Sequence, residues 1–286
     1  MRRGANSCYN YDMPPAREIQ AISVLTKSEI ADYCVNCYIG CGHGCVYCYA
    51  RFMRRFTGHE EPWEKFLDAK INAPDVLKRE VRHKKPGRVF VSSVCDAYQP
   101  AEARYRLTRA CVQILVDAGF DVGILTKSKL VTRDFDILRG HENCDLGFTL
   151  TTMDEHLRFR IEPGASPTWE RIAVLEEACN KGIKTWAFLG PFMPYLSDTE
   201  EALDALISAV APLPLCRIYA DKLNPRPGVW NSIASFLKRY RPDLLDTYQR
   251  LFFDRGEYAS YCADLGRRLQ IIAAARGVSE KLDKVF

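Results

Sequence analysis

The sequence predicts an α/β fold in which six parallel strands alternate with helices to form part of a barrel, a partial (β/α)6 arrangement. Six apolar runs rich in β-branched and aromatic residues recur along the chain, and each is separated from the next by room for a helix. Strands and helices that alternate in this way form a parallel sheet, with the functional site at the carboxyl ends of its strands. A chain of 286 residues can form one such domain with a terminal elaboration.

The strands are expected at 33–39, 88–94, 121–126, 145–150, 183–189 and 215–220. The helices are expected at 74–84, 101–118, 129–139, 167–181 and 199–211, and Gly119 and Gly182 supply stop signals. Three parts of the chain follow: an irregular N-terminal extension over 1–32, the partial barrel over 33–222 and a helical C-terminal cap over 223–286.

The charge and hydropathy of the chain bear on whether it binds nucleic acid and whether it enters a membrane. The net charge of +4 does not by itself indicate a nucleic-acid-binding protein, and residues 223–286 account for the whole excess. That basic segment either contacts phosphates or forms a solvated helical face. No apolar run approaches the roughly 20 residues that span a bilayer, and no signal-peptide core follows the first residues. We therefore expect a cytoplasmic protein that does not enter a membrane.

Twelve cysteines are scattered along the chain rather than gathered into a disulfide framework, so we expect free thiols in a reducing compartment. Four of them lie in apolar stretches and are expected to behave as small core residues: Cys111, Cys179, Cys216 and Cys262.

One short loop concentrates cysteines in the pattern Cys41-x3-Cys45-x2-Cys48. Thiolates are the usual ligands of iron–sulfur clusters, and three of them can hold three corners of a 4Fe–4S cube and leave the fourth iron open. Glycines at 42 and 44 let the backbone wrap closely around such a cluster. The alternative is zinc, because Cys34-x2-Cys37 and the Cys45-x2-Cys48 pair also have the spacing of zinc knuckles.

Five segments together resemble one family. CGHGCVYCYAR (41–51), DAYQPAE (96–102), TKS (126–128), TRD (132–134) and IEPGASPTWERI (161–172) look like the spore photoproduct lyase group of radical SAM enzymes, including relatives described as DNA repair photolyases. The match runs in order over 33–194. It implies a TIM-type partial barrel, S-adenosylmethionine (SAM) on the open iron, and hydrogen abstraction by a 5'-deoxyadenosyl radical. It also implies a reductant such as ferredoxin or flavodoxin, and a nucleic-acid substrate in its most specific form.

The resemblance assigns roles at matched positions. Cys41, Cys45 and Cys48 would bind the cluster. Three further residues are expected to contact SAM: Lys127, Thr149 and Ser93. A lysine ammonium can pair with the methionine carboxylate, and a hydroxyl can hydrogen-bond to a carboxylate or ribose. The alternatives are a surface lysine at 127 and an ordinary strand residue at 149.

Three residues are candidates for hydrogen transfer. Cys95 follows the second strand, where the lyases carry a cysteine that quenches the product radical. In our alignment the lyase cysteine falls nearer Ser93 than Cys95. The alternative role for Cys95 is that of a small core residue. Tyr47 and Tyr49 flank Cys48 and would relay a hydrogen atom or form an aromatic lid. His43 is expected to support the cluster at most.

Several features leave alternatives open. Glu162 is expected to form a buried pair with Arg171 or Arg133. Cys34 and Cys37 depart from the family and are expected to be structural, with a second metal site that includes Cys8 as the minority hypothesis. The lyase hairpin that reads substrate has no counterpart in 223–286, where six aromatics are expected to form a helix core: Trp230, Phe236, Tyr240, Tyr248, Phe252 and Tyr258.

The functional alternatives are radical modification of a protein, peptide or RNA, and a zinc-stabilised nucleic-acid-binding protein without radical chemistry.

Overall fold

The structure is a computed structural model that describes residues 14–226 and 228–286. Cys8 lies outside these residues, so the second metal site that includes it has no structural description. In chain order the described strands are β1 (Ala16–Ile19), β2 (Leu25–Lys27), β3 (Tyr33–Val35), β4 (Tyr38–Ile39), β5 (Leu67–Lys70), β6 (Arg88–Val91), β7 (Asp121–Thr126), β8 (Cys144–Leu150), β9 (Lys184–Phe192), β10 (Arg217–Lys222) and β11 (Leu282–Lys284).

The predicted α/β fold with six parallel strands is confirmed. Strands β3, β6, β7, β8, β9 and β10 lie side by side in this order, and every neighbouring pair is parallel. β2 pairs antiparallel with β3 at one edge of this sheet, and β11 pairs parallel with β10 at the other. The sheet therefore stays open, as in a partial barrel. A second sheet contains β1, β5 and β4.

Helices cover the sheet and fill the predicted connections. They are α1 (Ala73–Glu80), α2 (Glu102–Tyr105), α3 (Leu107–Asp117), α4 (Phe135–Leu138), α5 (Glu155–Ile161), α6 (Thr168–Asn180), α7 (Glu200–Val210), α8 (Val229–Tyr240), α9 (Leu245–Phe253) and α10 (Arg255–Ala275). Short 3-10 helices occur at Tyr49–Phe56, Trp63–Lys65, Lys129–Asp134, Pro242–Leu244 and Ser279–Lys281. No helix among the described residues is both long and apolar enough to cross a bilayer.

The first predicted strand, 33–39, is wrong as a single element. Asn36 breaks it, because the Asn36 amide oxygen accepts a hydrogen bond from the Val94 backbone N–H (3.3 Å) and the Asn36 backbone carbonyl accepts one from Lys70 Nζ (2.9 Å). The chain consequently leaves the main sheet after β3 and continues as β4 in the second sheet. The N-terminal extension is also less irregular than predicted, since it contributes β1 and β2.

Two predicted helices are divided, and one helix was missed. The helix expected over 101–118 breaks at Arg106, whose φ is 52°, and the Glu102 carboxylate accepts the backbone N–H of Thr108 (3.0 Å) at the start of α3. The helix expected over 129–139 begins as the 3-10 helix Lys129–Asp134 and ends as α4. Helix α5 was not predicted, although Asp154 caps it by accepting the N–H groups of His156 and Leu157.

The cysteine predictions are partly confirmed. Cys111 is fully buried, and Cys179 and Cys262 are half-buried against the core. Cys216 is exposed, so its assignment to the core was wrong; it lies just before β10 begins, at the amino end of the sheet. All the cysteines among the described residues are free thiols.

Candidate active site

A cavity of about 280 Å³ lies at the carboxyl ends of the parallel strands. Its walls come from the loop after β4, the segment after β6, and the ends of β7, β8, β9 and β10. All nine site residues expected from the sequence line it: Cys41, Cys45, Cys48, Tyr47, Tyr49, Ser93, Cys95, Lys127 and Thr149. Because these residues are spread over more than a hundred positions, the fold alone brings them together.

The loop that carries the three cysteines is held by hydrogen bonds to its backbone on two sides. Gln99 accepts a hydrogen bond from Gly42 N–H (2.7 Å) and donates one to the Gly40 carbonyl (3.4 Å). From the other side, Gly164 N–H donates to the His43 carbonyl (3.0 Å). A Cβ at position 164 would lie 2.2 Å from the Gly42 carbonyl oxygen, so only glycine fits this approach without displacing the loop.

The three thiols of the loop are the type of ligand that iron–sulfur clusters use. Cys41 and Cys45 are buried and Cys48 is half-buried, and all three are free. Among residues 14–226 and 228–286, no three histidine, cysteine or acidic side chains are arranged to hold one metal ion. A 4Fe–4S cube places each thiolate on a different iron and does not need such convergence. The loop therefore has the donor set that a cube with one open iron requires.

Burial sets the protonation of these thiols. It raises the pKa of Cys45 to about 12, against the opposing charge of Lys127, and it also raises the pKa of Cys41. Both side chains are therefore neutral thiols at neutral pH when no metal is bound. Thiolates are the metal-binding form, so iron binding would release protons from them.

Cys34 and Cys37 are not part of this site. The Cys37 sulfur lies 3.6 Å from the Cys111 sulfur in the core, and both side chains are fully buried. The Cys34 sulfur lies 3.2 Å from Thr26 Oγ1 on the neighbouring strand. The two sulfurs thus have different neighbours, which supports the structural interpretation of this pair.

Asp96 lines the cavity, and sequence reasoning left it without a role. Its Oδ1 accepts the Thr126 hydroxyl (2.7 Å), and its Oδ2 accepts the Lys127 backbone N–H (2.7 Å). His43 Nδ1 lies 3.3 Å from Oδ2. Burial alone would raise the pKa of Asp96, but the His43 ring and these hydrogen bonds outweigh it and lower the pKa, so the carboxylate is ionised. Asp96 thereby links the cysteine loop to the end of β7.

Lys127 places a half-buried ammonium in the cavity. Burial favours the neutral amine, but the acidic groups nearby, Cys45, Glu162 and Asp96, outweigh that cost and raise the pKa of Lys127. Its Nζ donates no hydrogen bond to any of the described residues and lies 6.0 Å from the centre of the Tyr47 ring. The cavity therefore contains a cation that is free to bind an anionic group.

Tyr47 belongs to a buried ion-pair network. Its hydroxyl donates to the Glu162 carboxylate, which also pairs with Arg171 Nη2 (2.6 Å). The predicted pairing of Glu162 with Arg171 is confirmed, whereas Arg133 pairs with Glu102. Burial opposes the charge on Glu162, yet Arg171 and Lys127 lower the pKa of Glu162 to about 2. Burial beside this carboxylate raises the pKa of Tyr47, so its phenol stays protonated.

Tyr49 and Cys95 also line the cavity and are not fully buried. Tyr49 is 45% exposed and donates its hydroxyl to the Ser93 carbonyl, while the Arg226 guanidinium lies 6.0 Å from its ring centre. The Cys95 sulfur lies 3.8 Å from the Tyr38 carbonyl, and burial raises the Cys95 pKa to about 12. Cys95 is thus a protonated thiol at the cavity wall.

The last two strands contribute residues that sequence reasoning missed. Pro191 at the end of β9 and Asp221 at the end of β10 line the cavity, followed by Lys222 and Asn224. Burial raises the pKa of Asp221, although Lys222 opposes the shift. The position of these residues at the carboxyl ends of correctly predicted strands was the signal that could have identified them.

The C-terminal helices close one side of the cysteine loop. Trp230 and Phe252 pack against the cluster of buried residues that contains Cys45 and Tyr47. The predicted aromatic core is confirmed for Phe236 and Tyr248, which are buried, and holds in part for Trp230, Phe252 and Tyr258, which are half-buried; Tyr240 is 37% exposed.

The sequence of this chain is similar to those of known proteins. The sequence profile of the Radical SAM superfamily matches residues 35–207. An uncharacterized protein of Methanocaldococcus jannaschii is 38% identical over 175 residues, which cover 61% of this chain and 66% of that protein. An uncharacterized protein of Mycobacterium tuberculosis strain H37Rv is 28% identical over 233 residues, which cover 79% of this chain and 68% of that protein.

Solved structures of spore photoproduct lyase have a similar fold. One variant superimposes with a TM-score of 0.67 at 13% identity, covering 94% of this chain and 81% of that chain. A second variant, with bound AdoMet and dinucleoside spore photoproduct, has a TM-score of 0.59 at 12% identity and covers 83% of this chain and 79% of that chain. At these identities the similarity concerns the fold.

Proposed function

This chain belongs to the radical SAM superfamily, and from that premise we propose that Cys41, Cys45 and Cys48 bind a 4Fe–4S cluster with SAM beside it. The supporting observation is the cavity itself, which brings three free thiols on one loop together with a half-buried ammonium that has no hydrogen-bonding partner among the described residues. When bound, the reduced cluster supplies reductive cleavage of SAM to methionine and a 5'-deoxyadenosyl radical, which abstracts hydrogen from the substrate.

The residues of the chain bind and orient SAM in this proposal. Lys127 pairs with the carboxylate of SAM, since a charge-assisted hydrogen bond in a buried site is among the stronger polar contacts. Thr149 and Ser93 supply a hydroxyl each from the ends of two strands. Asp96 orients this arrangement by accepting the backbone N–H of Lys127, and its Oδ2 lies 3.3 Å from His43 Nδ1 in the cysteine loop.

Hydrogen return to the product radical is assigned to Cys95. Its protonated thiol lines the cavity and can give up a hydrogen atom, which leaves a sulfur-centred radical and a closed-shell product. Tyr49 is better placed than Tyr47 to relay that hydrogen, because the Tyr47 hydroxyl is buried against Glu162.

The most specific form of the proposal is repair of a DNA lesion. Its support is the shared fold with spore photoproduct lyase, including a variant with bound dinucleoside spore photoproduct. Radical modification of a protein, peptide or RNA is the second candidate, because the described residues of 223–286 contain one strand, β11, and so no hairpin of the kind that the resemblance to the lyase group implies.

The test is anaerobic reconstitution with iron and sulfide, followed by dithionite and SAM, with 5'-deoxyadenosine measured by mass spectrometry. We expect brown protein that forms 5'-deoxyadenosine in the wild type and in Cys37→Ala, the matched control for a buried cysteine outside the loop. Cys45→Ala should lose both colour and product. Colourless protein containing zinc would refute the proposal and favour the zinc-stabilised alternative.

The substrate is tested separately with dinucleoside spore photoproduct deuterated at the abstracted position. Deuterium in 5'-deoxyadenosine, together with thymidine-dinucleotide product, would support lesion repair. Deoxyadenosine formation without deuterium transfer would exclude this lesion and leave protein, peptide or RNA substrates as the next to examine.

A further inference from the structure

The 3-10 helix Tyr49–Phe56 follows Cys48 directly and has two different faces. Its inner residues, Ala50 and Met53, pack with Trp63 and Phe66. Arg54, Arg55 and Phe56 lie on the outside and are exposed, and Phe56 is 66% exposed. We call these three residues the arginine patch.

The arginine patch is positively charged and largely unpaired. The helix contains three arginines and no acidic residue. Arg51 pairs with Glu64, but neither Arg54 nor Arg55 forms an ion pair with a described residue. The Arg55 guanidinium lies 4.6 Å from the centre of the Phe56 ring, and Arg54 Nη1 donates to the backbone carbonyl of Glu60 (2.7 Å). Glu60, which is exposed, is a flanking negative charge.

The patch lies near the half-buried cluster cysteine but outside the cavity. Arg54 follows Cys48 by six residues, which at the 3-10 rise of about 2 Å per residue corresponds to about 12 Å along the axis. None of the three patch residues lines the cavity, whereas Tyr49 and Ala50 at the start of the same helix do. A partner on the patch would therefore approach the cluster without occupying the substrate's place.

We propose that the arginine patch is the docking surface for an acidic one-electron carrier protein, which reduces the cluster. This inference rests on the proposed function, because it requires a cluster on Cys41, Cys45 and Cys48. In the electron transfer the carrier is oxidised by one electron and the cluster is reduced by one, with no exchange of atoms. Complementary charge accelerates such encounters by steering the partners, and the exposed Phe56 ring adds contact area.

The experiment measures reduction of the reconstituted protein by flavodoxin hydroquinone in a stopped-flow instrument at low ionic strength. Arg54→Glu/Arg55→Glu is compared with Arg82→Glu/Arg139→Glu, which changes the net charge equally at the amino ends of the strands, where both arginines are exposed and unpaired among the described residues. Arg54→Gln/Arg55→Gln is a milder second variant. Dithionite reduction and SAM cleavage are measured on every protein.

We expect the second-order rate constant to fall about tenfold in the glutamate variant of the patch and by less in the glutamine variant. The difference should shrink as salt is added. Equal slowing in the Arg82 and Arg139 variant, or no slowing in either patch variant, would overturn the proposal. A patch variant whose cluster is reduced at the wild-type rate but which no longer binds a single-stranded oligonucleotide would also overturn the proposal and assign the patch to nucleic acid. Failure of the wild type to cleave SAM with dithionite would instead refute the proposed function.

Discussion

Replacing Glu162 with glutamine tests how strongly the ion-pair network supports the site. The Glu162 carboxylate is fully buried, pairs with Arg171 and accepts the Tyr47 hydroxyl. Glutamine keeps the shape but removes the charge, which leaves the Arg171 guanidinium buried without its counter-ion. Lowering the pKa of Glu162 from 4.5 to about 2 corresponds to about 3 kcal/mol of stability at neutral pH. Breaking a buried pair by removing one partner costs a similar amount, about 3–5 kcal/mol.

The sign of the pH dependence follows from the lowered pKa. The ionised form of Glu162 stabilises the folded chain above pH 4.5, and this contribution is lost as the pH falls towards 2. The difference in stability between wild type and Glu162→Gln should therefore be largest near neutral pH and shrink below pH 4.5.

Thermal and urea unfolding followed by circular dichroism measure this effect. For a chain of this length, about 3 kcal/mol lowers the melting temperature by about 5 °C. Glu176→Gln, at an exposed position on α6 without an ion pair to a described residue, is the matched control and should change stability by less than about 0.5 kcal/mol. Glu162→Gln combined with Arg171→Met should cost less than the two single changes together. Wild-type stability in Glu162→Gln, or a pH-independent difference, would refute the reasoning.

Three further changes test other contacts. Gly164→Ala places a Cβ 2.2 Å from the Gly42 carbonyl oxygen and should reduce the iron retained after reconstitution; full iron content would show that the loop tolerates the displacement. Lys127→Met should weaken SAM binding about tenfold to a hundredfold in equilibrium dialysis through loss of a charge-assisted hydrogen bond, with iron content unchanged; equal affinity would remove Lys127 from the site. Cys95→Ala should still form 5'-deoxyadenosine but divert the product of a confirmed substrate, as measured by mass spectrometry; an unchanged product would exclude Cys95 as hydrogen donor.

Local pattern located the six central strands, although it made the first one too long, and it singled out the cysteine loop. Apolar runs identify buried parallel strands, and the spacing of Cys41, Cys45 and Cys48 indicates a cluster without any tertiary information. The topology rule for such sheets also places the site at the carboxyl ends of the strands, where Lys127 and Thr149 are found.

Tertiary hydrogen bonds decided what the sequence could not predict. Asn36 ends β3 because its side chain bonds to Val94, which is distant in the chain. Arg106 breaks a continuous helical pattern because the Glu102 carboxylate caps the helix that follows. The contacts of Asp96 reach the end of β7, at Thr126 and Lys127, and His43 in the cysteine loop, so no local pattern contains them.

Electron paramagnetic resonance of the reconstituted, dithionite-reduced protein, recorded before and after SAM addition, tests the central claim most directly. The account predicts a reduced 4Fe–4S signal whose g values change on SAM binding, because the three loop cysteines leave one iron open. It predicts no such signal in Cys45→Ala. A cluster signal that SAM leaves unchanged, or one that persists in Cys45→Ala, would contradict the assignment of this cavity as a radical SAM site.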